Sequence, residues 1–214
     1  MHNVQSGQSG FAAGSRQSLW LNLPPVATKR LRTFRQAFDT SLVIVAWMCV
    51  AEFADFLLRQ QKDLTLDALG ILPRTIPGLV GILLSPLLHA SFAHLAANAI
   101  PLLILLTILF WDAHYRPWQT LGSIWLLSGL GTWLIGRSAS VHIGASSIIF
   151  GLVAYLIVAG LLVRSWRSAF TAILVFLAFG GIFYGVLPHH GPISWEAHLC
   201  GALAGLVAAC SNRK

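Results

Sequence analysis

The segment TIPGLVGILLSPLLHASFAHLAANAIPLLILLTILFW, residues 75–111, contains no Lys, Arg, Asp or Glu in 37 consecutive positions. A membrane-spanning helix needs about 20 predominantly apolar residues, so this segment is too long for one crossing. Pro77, Pro86 and Pro101 interrupt it, and proline breaks or kinks a helix. We therefore predict that residues 71–90 form a loop lying in the membrane surface and that residues 91–111 form a spanning helix.

The composition of the whole chain also indicates a membrane protein. Its 214 residues are 56% hydrophobic and only 10% charged, whereas soluble domains carry about 25% charged residues. The 14 Lys and Arg outnumber the 7 Asp and Glu, but most of the basic residues lie between long apolar runs instead of forming a basic surface. This distribution argues against a nucleic-acid partner.

Five further apolar runs accompany residues 91–111, and they cover residues 40–58, 117–136, 146–163, 168–187 and 195–210. The fold class predicted from these six runs is an all-α, polytopic membrane bundle of six transmembrane helices, occupying residues 38–212. Residues 1–37 are rich in Gln, Ser and Gly and end in a basic cluster. We interpret them as a flexible cytoplasmic tail and not as a cleaved signal peptide.

The distribution of Lys and Arg predicts the orientation of the bundle, because cytoplasmic loops carry an excess of both residues. A cytoplasmic N-terminus leaves ten basic residues inside and four outside, the four being Arg59, Lys62, Arg74 and Arg137. We therefore expect both termini to lie in the cytoplasm and the bundle to lie in the cell (inner) membrane. The second, fourth and sixth helices then all begin on the outer side.

Polar side chains within membrane helices are costly and therefore mark functional candidates. His94 and Asn98 lie four residues apart at the start of the second helix and share one of its faces. Ser146 and Ser147 open the fourth helix, and His198 opens the sixth. All three groups are expected at a similar depth near the outer surface. A hydroxyl, an imidazole base and side-chain donors for an oxyanion are the groups that acyl transfer requires.

The sequence provides no obvious acid for a catalytic triad. Glu196 is two residues from His198 and so points to a different face of the same helix. Glu52 and Asp55 lie on the first helix, where nothing in the sequence connects them with the histidine. A Ser146–His198 dyad is therefore the simplest interpretation.

Three motifs in this chain resemble those of the rhomboid family of intramembrane serine proteases, and the resemblance runs from about residue 40 to the C-terminus. The family's H-x-x-x-x-H-x-x-x-N pattern matches His89, His94 and Asn98. Its G-x-S-G pattern matches Gly144 and Ser146, with Ser147 where the family has glycine. Its A-H-x-x-G-x-x-x-G pattern matches Ala197, His198, Gly201 and Gly205.

The resemblance implies roles for these residues. Ser146 would be the nucleophile, His198 the general base and then the general acid, and His94 with Asn98 the side chains that stabilise the oxyanion. Phe150 falls where the family has an aromatic ring stacked on the catalytic imidazole. Gly144, Gly201 and Gly205 would support the site structurally.

The resemblance also implies the substrates, which would be transmembrane segments of other proteins within the lipid bilayer, cleaved near the outer membrane surface. It implies a preference for small residues at the cleaved bond, and no metal or organic cofactor. The oligomeric state is left open by the sequence.

Two other functions remain compatible with the sequence. The first is a rhomboid relative that binds transmembrane clients without cleaving them, because Ser147 would crowd the helix packing or act as a competing nucleophile. The second is a small transporter or a haem-binding membrane protein that uses His94 and His198.

Several further sequence features have a structural interpretation. Four histidines predicted on the outer side have spacings that match no metal signature, and they are His89, His142, His189 and His190.

Three cysteines lie in apolar segments without a paired spacing, and we expect Cys49, Cys200 and Cys210 to be small core residues. The spacing of Gly201 and Gly205 suits close helix packing, and His198 on the same face favours packing within the bundle over packing between two subunits.

Overall fold

The computed structural model describes residues 33–62, 64–162, 165–188, 191 and 193–212. Most of the predicted cytoplasmic tail lies outside these residues, as do His189, His190 and the basic residues Arg164, Arg213 and Lys214. The boundary between tail and membrane domain therefore stays a prediction.

The described residues form a bundle of α-helices, which confirms the predicted fold class. The helices are α1 Phe34–Lys62, α2 Gly78–Leu84, α3 Phe92–Trp111, α4 Pro117–Ile135, α5 Ser146–Leu162, α6 Trp166–Phe179 and α7 Trp195–Ser211. Short 3-10 segments connect or extend them at Leu66–Leu69, Ser85–Leu87, Ala113–Tyr115 and Gly180–Val186. All helices except α2 correspond to predicted spans.

The predicted helix ends agree with the structure to within two residues at α3, α4, α5 and α7. Serine caps account for two of these starts. The Ser91 hydroxyl accepts a hydrogen bond from the His94 amide at 3.2 Å, and the Ser194 hydroxyl accepts one from the Ala197 amide at 3.2 Å. These bonds satisfy amides that have no partner inside the helix.

Helices α1 and α6 differ from their predicted ranges. Helix α1 runs from Phe34 to Lys62 and so extends beyond the predicted 40–58 at both ends, because charged residues limit an apolar run without ending a helix. Helix α6 stops at Phe179, and residues Gly180–Val186 continue as a 3-10 helix. This change of helix type begins at two adjacent glycines, Gly180 and Gly181.

The prediction that residues 71–90 are a loop is wrong in part, because helix α2 and the 3-10 turn Ser85–Leu87 lie within them. Pro77 precedes α2, where proline is tolerated because the first amides of a helix need no intrahelical partner. A Cβ atom at Gly78 would lie 2.0 Å from the Leu72 carbonyl oxygen, and one at Gly81 would lie 2.2 Å from the Gly70 oxygen. These close backbone contacts fold the segment onto itself, while Ile76 remains 84% exposed.

Three apolar helical segments among the described residues are long enough to cross a membrane, namely Phe34–Gln60, Phe92–Trp111 and Trp166–Val186. Helices α5 and α7 have only 17 residues each, which corresponds to about 25 Å. Most residues of α5 are buried, so this helix lies in the middle of the bundle.

Helices α5 and α7 approach each other closely at two glycines. A Cβ atom at Gly201 would lie 2.0 Å from the Ser147 carbonyl oxygen, and one at Gly205 would lie 2.1 Å from the Gly151 carbonyl oxygen. Any side chain at either position would push the two helices apart. Gly201 and Gly205 therefore serve packing within the bundle.

The prediction that all three cysteines are core residues is wrong for two of them. Cys200 is buried, but Cys49 and Cys210 are exposed on the surface of the bundle, and all three thiols are free. Helix sides that face lipid are as apolar as sides that face the core, so hydrophobicity does not separate the two environments.

Candidate active site

The site lies at the end of the bundle where helices α3, α5 and α7 begin, which we call the site end. The segment before α5 turns sharply at Gly144, whose φ of +106° is in the region that side-chain-bearing residues rarely adopt. The Gly144 amide donates a hydrogen bond to the Ser85 carbonyl oxygen at 2.8 Å. Ser146 follows as the first residue of α5.

The Ser146 hydroxyl meets the imidazole of His198, with 3.0 Å between Oγ and Nε2. The other ring nitrogen of His198, Nδ1, lies 3.1 Å from the Gly185 carbonyl oxygen. A carbonyl oxygen can only accept a hydrogen bond, so Nδ1 carries the proton in neutral imidazole. This tautomer leaves Nε2 free of a proton and able to accept the proton of the Ser146 hydroxyl.

The ring of Phe150 stacks on the His198 imidazole, with 4.1 Å between the ring centroids and 11° between the planes. Phe150 lies one helical turn after Ser146, so the same helix supplies both the hydroxyl and the stacked ring. A Cβ atom at Gly185 would lie 3.0 Å from Cζ of Phe150 and 3.2 Å from Nδ1 of His198. The imidazole is therefore held by the stacked ring and by close backbone contact with the 3-10 segment.

His94 and Asn98 lie beside Gly144, two residues from Ser146. A Cβ atom at Gly144 would be 2.9 Å from Cε1 of His94 and 3.7 Å from Nδ2 of Asn98. The Asn98 amide donates to the His94 carbonyl oxygen at 3.0 Å. Two polar side chains of α3 thus lie at the turn that precedes the hydroxyl, as the sequence motif predicts.

The family model of the Rhomboid domain matches residues 77–213 of the chain. This range includes α2 to α7 and all the residues of the site described above. The chain belongs to the rhomboid family. Rhomboid proteins form a family of intramembrane proteases that are generally serine proteases, and this member is a membrane protein.

Relatives of this rhomboid occur in mycobacteria. An uncharacterized protein of Mycobacterium tuberculosis is 43% identical over 179 residues, which cover 79% of this chain and 72% of the relative. An uncharacterized protein of Mycobacterium leprae is 37% identical over 194 residues, which cover 87% and 75% of the two chains. No solved structure gives a significant match.

Ser147 is the residue at which this rhomboid departs from the family motif, and its hydroxyl lies on the side of α4. Ser147 Oγ is 3.4 Å from the Ser128 hydroxyl of that helix, and Ser147 itself is buried. Its carbonyl oxygen is the atom that lies against Gly201. The additional hydroxymethyl group is therefore accommodated between α4 and α5, without separating α5 from α7.

His89, the first residue of the family's histidine motif, is buried and lies next to His94. Their rings meet edge to face with 5.1 Å between centroids. Burial, foremost, and the neighbouring His94 lower the pKa of His89 from 6.5 to about 4. His89 is therefore neutral at physiological pH.

Of the four outer histidines, whose spacings match no metal signature, the structure describes His89 and His142. His89 contacts His94, whereas His142 Nδ1 lies 2.6 Å from the Ser194 hydroxyl. Within the described residues, no group of three or more His, Cys, Asp or Glu side chains has a geometry suited to a metal ion. His189 and His190 lie outside the described residues.

Two of the three acidic residues considered for a triad have other partners. Asp55 pairs with Arg59 and accepts a hydrogen bond from the Thr65 hydroxyl at 3.1 Å. Glu196 is 2% exposed, and its Oε1 lies 2.8 Å from Nε of Arg137. Glu52 is buried on α1.

Sequence reasoning missed three contributors to the site end, namely Gly185, Arg137 and the His142–Ser194 contact. Gly185 acts through its carbonyl oxygen, which any residue possesses, so no sequence signal identifies it. Arg137 and Glu196 did carry a signal. They are opposite charges beside otherwise apolar helices, and one of them lies two residues from His198.

Proposed function

We propose that this rhomboid is an intramembrane serine endopeptidase that uses a dyad of Ser146 and His198 to cleave transmembrane segments of other membrane proteins. The observation that carries the proposal is the 3.0 Å contact between Ser146 Oγ and His198 Nε2. A nucleophile and a base within hydrogen-bond distance, with the base held in one tautomer, are the requirements for serine-based acyl transfer.

The proposed reaction begins when Ser146 Oγ attacks the scissile carbonyl carbon and His198 Nε2 takes the hydroxyl proton. His94, Asn98 and the unpaired amides at the start of α5 donate hydrogen bonds to the oxyanion. The intermediate then collapses, the C–N bond breaks, and His198 protonates the leaving amine. Water attacks the acyl-enzyme with His198 again as base, which releases the carboxylic acid and regenerates Ser146.

The substrate must meet two physical conditions. The peptide bonds of a spanning helix are hydrogen-bonded internally and shielded from water, so the substrate helix has to unwind locally before Ser146 can reach a carbonyl carbon. Helix-weakening residues near the outer membrane surface lower the cost of unwinding. We therefore propose transmembrane proteins with such residues, and a small side chain at the cleaved bond, as substrates.

The proposed location is the cell (inner) membrane, with both termini in the cytoplasm and the site end facing outward. The support is the distribution of Lys and Arg along the sequence, ten of which fall on the cytoplasmic side. Fluorescence of a fluorescent protein fused to the C-terminus, measured in intact bacteria, tests this orientation, since such a protein matures in the cytoplasm. A dark fusion that is nevertheless expressed would contradict it.

The activity is tested by reconstituting the purified protein in liposomes together with a single-span substrate that carries Gly and Ala near its outer end. We expect wild type to cleave the substrate at one position. Ser146→Ala and His198→Ala are each expected to reduce cleavage by about 10³-fold or more, as for other serine hydrolases. Ser147→Ala is the matched control and should retain cleavage.

The outcomes separate the alternative functions. Binding of the substrate without cleavage by the wild-type protein would support the non-proteolytic relative instead. Loss of cleavage only in Ser147→Ala would identify Ser147 as the nucleophile. A haem absorbance band in the purified protein that disappears in His94→Ala would support the haem-binding alternative.

A further inference from the structure

A polar cluster at the site end connects the two chain segments that carry Ser146 and His198. It consists of Arg137 and His142 in the connection before α5, and of Ser194 and Glu196 at the start of α7. The first two residues lie nine and four positions before Ser146, and the last two lie four and two positions before His198. The cluster thus joins the same two segments as the Ser146–His198 contact.

The guanidinium group of Arg137 contacts three oxygens of the second segment. Nη1 donates to the Gly191 carbonyl oxygen at 3.1 Å and Nη2 donates to the Ile193 carbonyl oxygen at 3.0 Å. Nε lies 2.8 Å from Oε1 of Glu196, as a charge contact rather than a well-aligned hydrogen bond. A planar fork of donors suits this task, and a lysine would supply the charge without the fork.

His142 and Ser194 form the second connection. Nδ1 of His142 lies 2.6 Å from the Ser194 hydroxyl, which also caps the first turn of α7 by accepting from the Ala197 amide. The backbone of His142 is itself fixed, because its amide and carbonyl groups exchange hydrogen bonds with Ile71 at 2.9 and 3.0 Å. The cap of the helix that carries His198 is therefore connected to a rigid part of the site end.

Because Glu196 is buried, its pairing with Arg137 constrains the position of α7. Its side chain is 2% exposed, and an ionised carboxylate is costly to bury unless it is paired. A buried ion pair adds little stability compared with an apolar pair, but removing one partner leaves an uncompensated charge. The pair therefore strongly favours the one position of α7 at which Glu196 and Arg137 meet.

We propose that Arg137 and Glu196 are positioning residues that hold the first turn of α7, and with it His198, at reacting distance from Ser146. The proposal rests on the proposed function for its catalytic consequence. Neither residue contacts the reacting atoms. Their effect is to fix the distance between Ser146 Oγ and His198 Nε2, for which a displacement of about 1 Å reduces the rate by up to about 100-fold.

The proposal is tested with Glu196→Gln, Arg137→Gln, the double variant and the conservative variant Arg137→Lys. The readouts are the rate of labelling by a fluorophosphonate probe, and kcat and KM for the liposome substrate. We expect each single Gln variant to lower the labelling rate and kcat by about 10- to 100-fold and to leave KM within about twofold of wild type. The double variant should be no slower than the slower single variant, and Arg137→Lys should recover part of the rate.

Arg74→Gln is the matched control. Arg74 also donates to backbone carbonyls at the site end, those of Leu134 at 2.8 Å and Gly136 at 2.9 Å, but these bonds connect to the end of α4 and not to α7. We expect Arg74→Gln to lower the melting temperature and to leave the labelling rate unchanged. If Glu196→Gln behaves in the same way as this control, the pair is merely structural and the proposal is overturned.

Hydrogen exchange gives a readout that does not depend on activity. We expect Glu196→Gln to accelerate amide exchange in residues 194–200 and to leave α3 unchanged, because the first turn of α7 loses its connection to Arg137. Unchanged exchange in residues 194–200 would overturn the proposal. If wild type takes no label, the proposed protease function fails, while exchange alone decides whether the pair holds the start of α7.

Discussion

At the scale of single residues, the proposed chemistry of this rhomboid depends on the neighbours of one imidazole. His198 contacts the Ser146 hydroxyl through Nε2, the Gly185 carbonyl oxygen through Nδ1, and the ring of Phe150 through its face. The contact at Nδ1 fixes the tautomer and the ring stack fixes the plane. The imidazole is thereby oriented before any substrate arrives.

The ring stack leads to a prediction for Phe150. Replacing Phe150 with Leu removes an aromatic contact worth about 0.5–1.5 kcal/mol and frees the imidazole to rotate. We expect kcat for the liposome substrate to fall by up to about tenfold, since 1.4 kcal/mol corresponds to a factor of ten, whereas Phe150→Tyr should stay close to wild type. Phe183→Leu is the control, because it removes a different aromatic contact of Phe150, in which the ring centroids are 6.4 Å apart. Equal losses in Phe150→Leu and Phe183→Leu would contradict the role of the stack.

The turn before Ser146 leads to a prediction for Gly144. Alanine at a φ of +106° costs about 1–3 kcal/mol of strain, and its Cβ would lie 2.9 Å from Cε1 of His94. We expect Gly144→Ala to reduce cleavage by at least about tenfold, because relief of this strain would displace Ser146. A rise of about 1.4 kcal/mol in the activation free energy corresponds to a factor of ten. Cleavage assays of Gly144→Ala beside Gly181→Ala test this, since a Cβ at Gly181 has no neighbour within 4 Å. Normal cleavage by Gly144→Ala would refute the need for glycine at the turn.

The residues of the site were predicted from the sequence because costly polar groups stand out in apolar segments. Ser146, His198, His94 and Asn98 are all visible in this way. Of the partners that orient His198, the Phe150 ring was predicted only through the family resemblance, because in hydropathy it stands among many apolar neighbours. The Gly185 contact was not predicted, because it belongs to the backbone.

At the scale of helices, the close approach of α5 and α7 determines how near Ser146 and His198 lie. The carbonyl oxygens of Ser147 and Gly151 occupy the space that a side chain on α7 would need. The spacing of Gly201 and Gly205 predicted close packing, and His198 on the same face favoured a partner within the bundle over a second subunit. Only the three-dimensional arrangement identifies α5 as the partner.

Gly205 supplies the prediction at this scale. A Cβ atom there would lie 2.1 Å from the Gly151 carbonyl oxygen, so Gly205→Ala forces two backbones apart and should destabilise the bundle by more than about 2 kcal/mol. Gly122→Ala on α4 is the control, since nothing lies within 4 Å of the added atom and alanine is favoured over glycine in a helix by about 1 kcal/mol. Thermal unfolding in detergent measures both. A Gly205→Ala protein as stable as Gly122→Ala would contradict the packing described.

Apolarity predicted six of the seven described α-helices and missed α2. Runs without charge located α3, α4, α5 and α7 because these helices end at caps, prolines or glycines. Residues 71–90 were assigned to a loop because of Pro77 and Pro86, although the seven residues GLVGILL between the two prolines form α2. A proline ends one helix and can equally begin another, and hydropathy does not distinguish these cases.

At the scale of the whole molecule, the described helices differ in length, and the helix that begins at Ser146 is one of the shorter ones. The outward orientation of the site end remains part of the proposed function. Helix α5 spans about 25 Å, less than the roughly 30 Å of a bilayer core, and its first residue is Ser146.

The stability of the whole protein should depend on pH through His89, whose pKa is lowered by burial from 6.5 to about 4. Between these values the unfolded chain binds a proton that the folded protein does not, so stability falls as the pH falls from 6.5 towards 4. The loss reaches up to about 3 kcal/mol, at 1.36 kcal/mol per pH unit. We expect the melting temperature of wild type to fall in this window and that of His89→Gln to fall less. A His89→Gln protein with the wild-type pH dependence would show that another group is responsible.

The central claim, that Ser146 is a nucleophile activated by His198, is tested most directly by covalent labelling with a fluorescent fluorophosphonate. The protein is compared in detergent as wild type, Ser146→Ala, His198→Ala and Ser147→Ala, with folding checked by thermal unfolding. Labelling of wild type and Ser147→Ala, with none in Ser146→Ala and His198→Ala, is the predicted result. Labelling that persists in folded Ser146→Ala, or its absence from folded wild type, would contradict the claim.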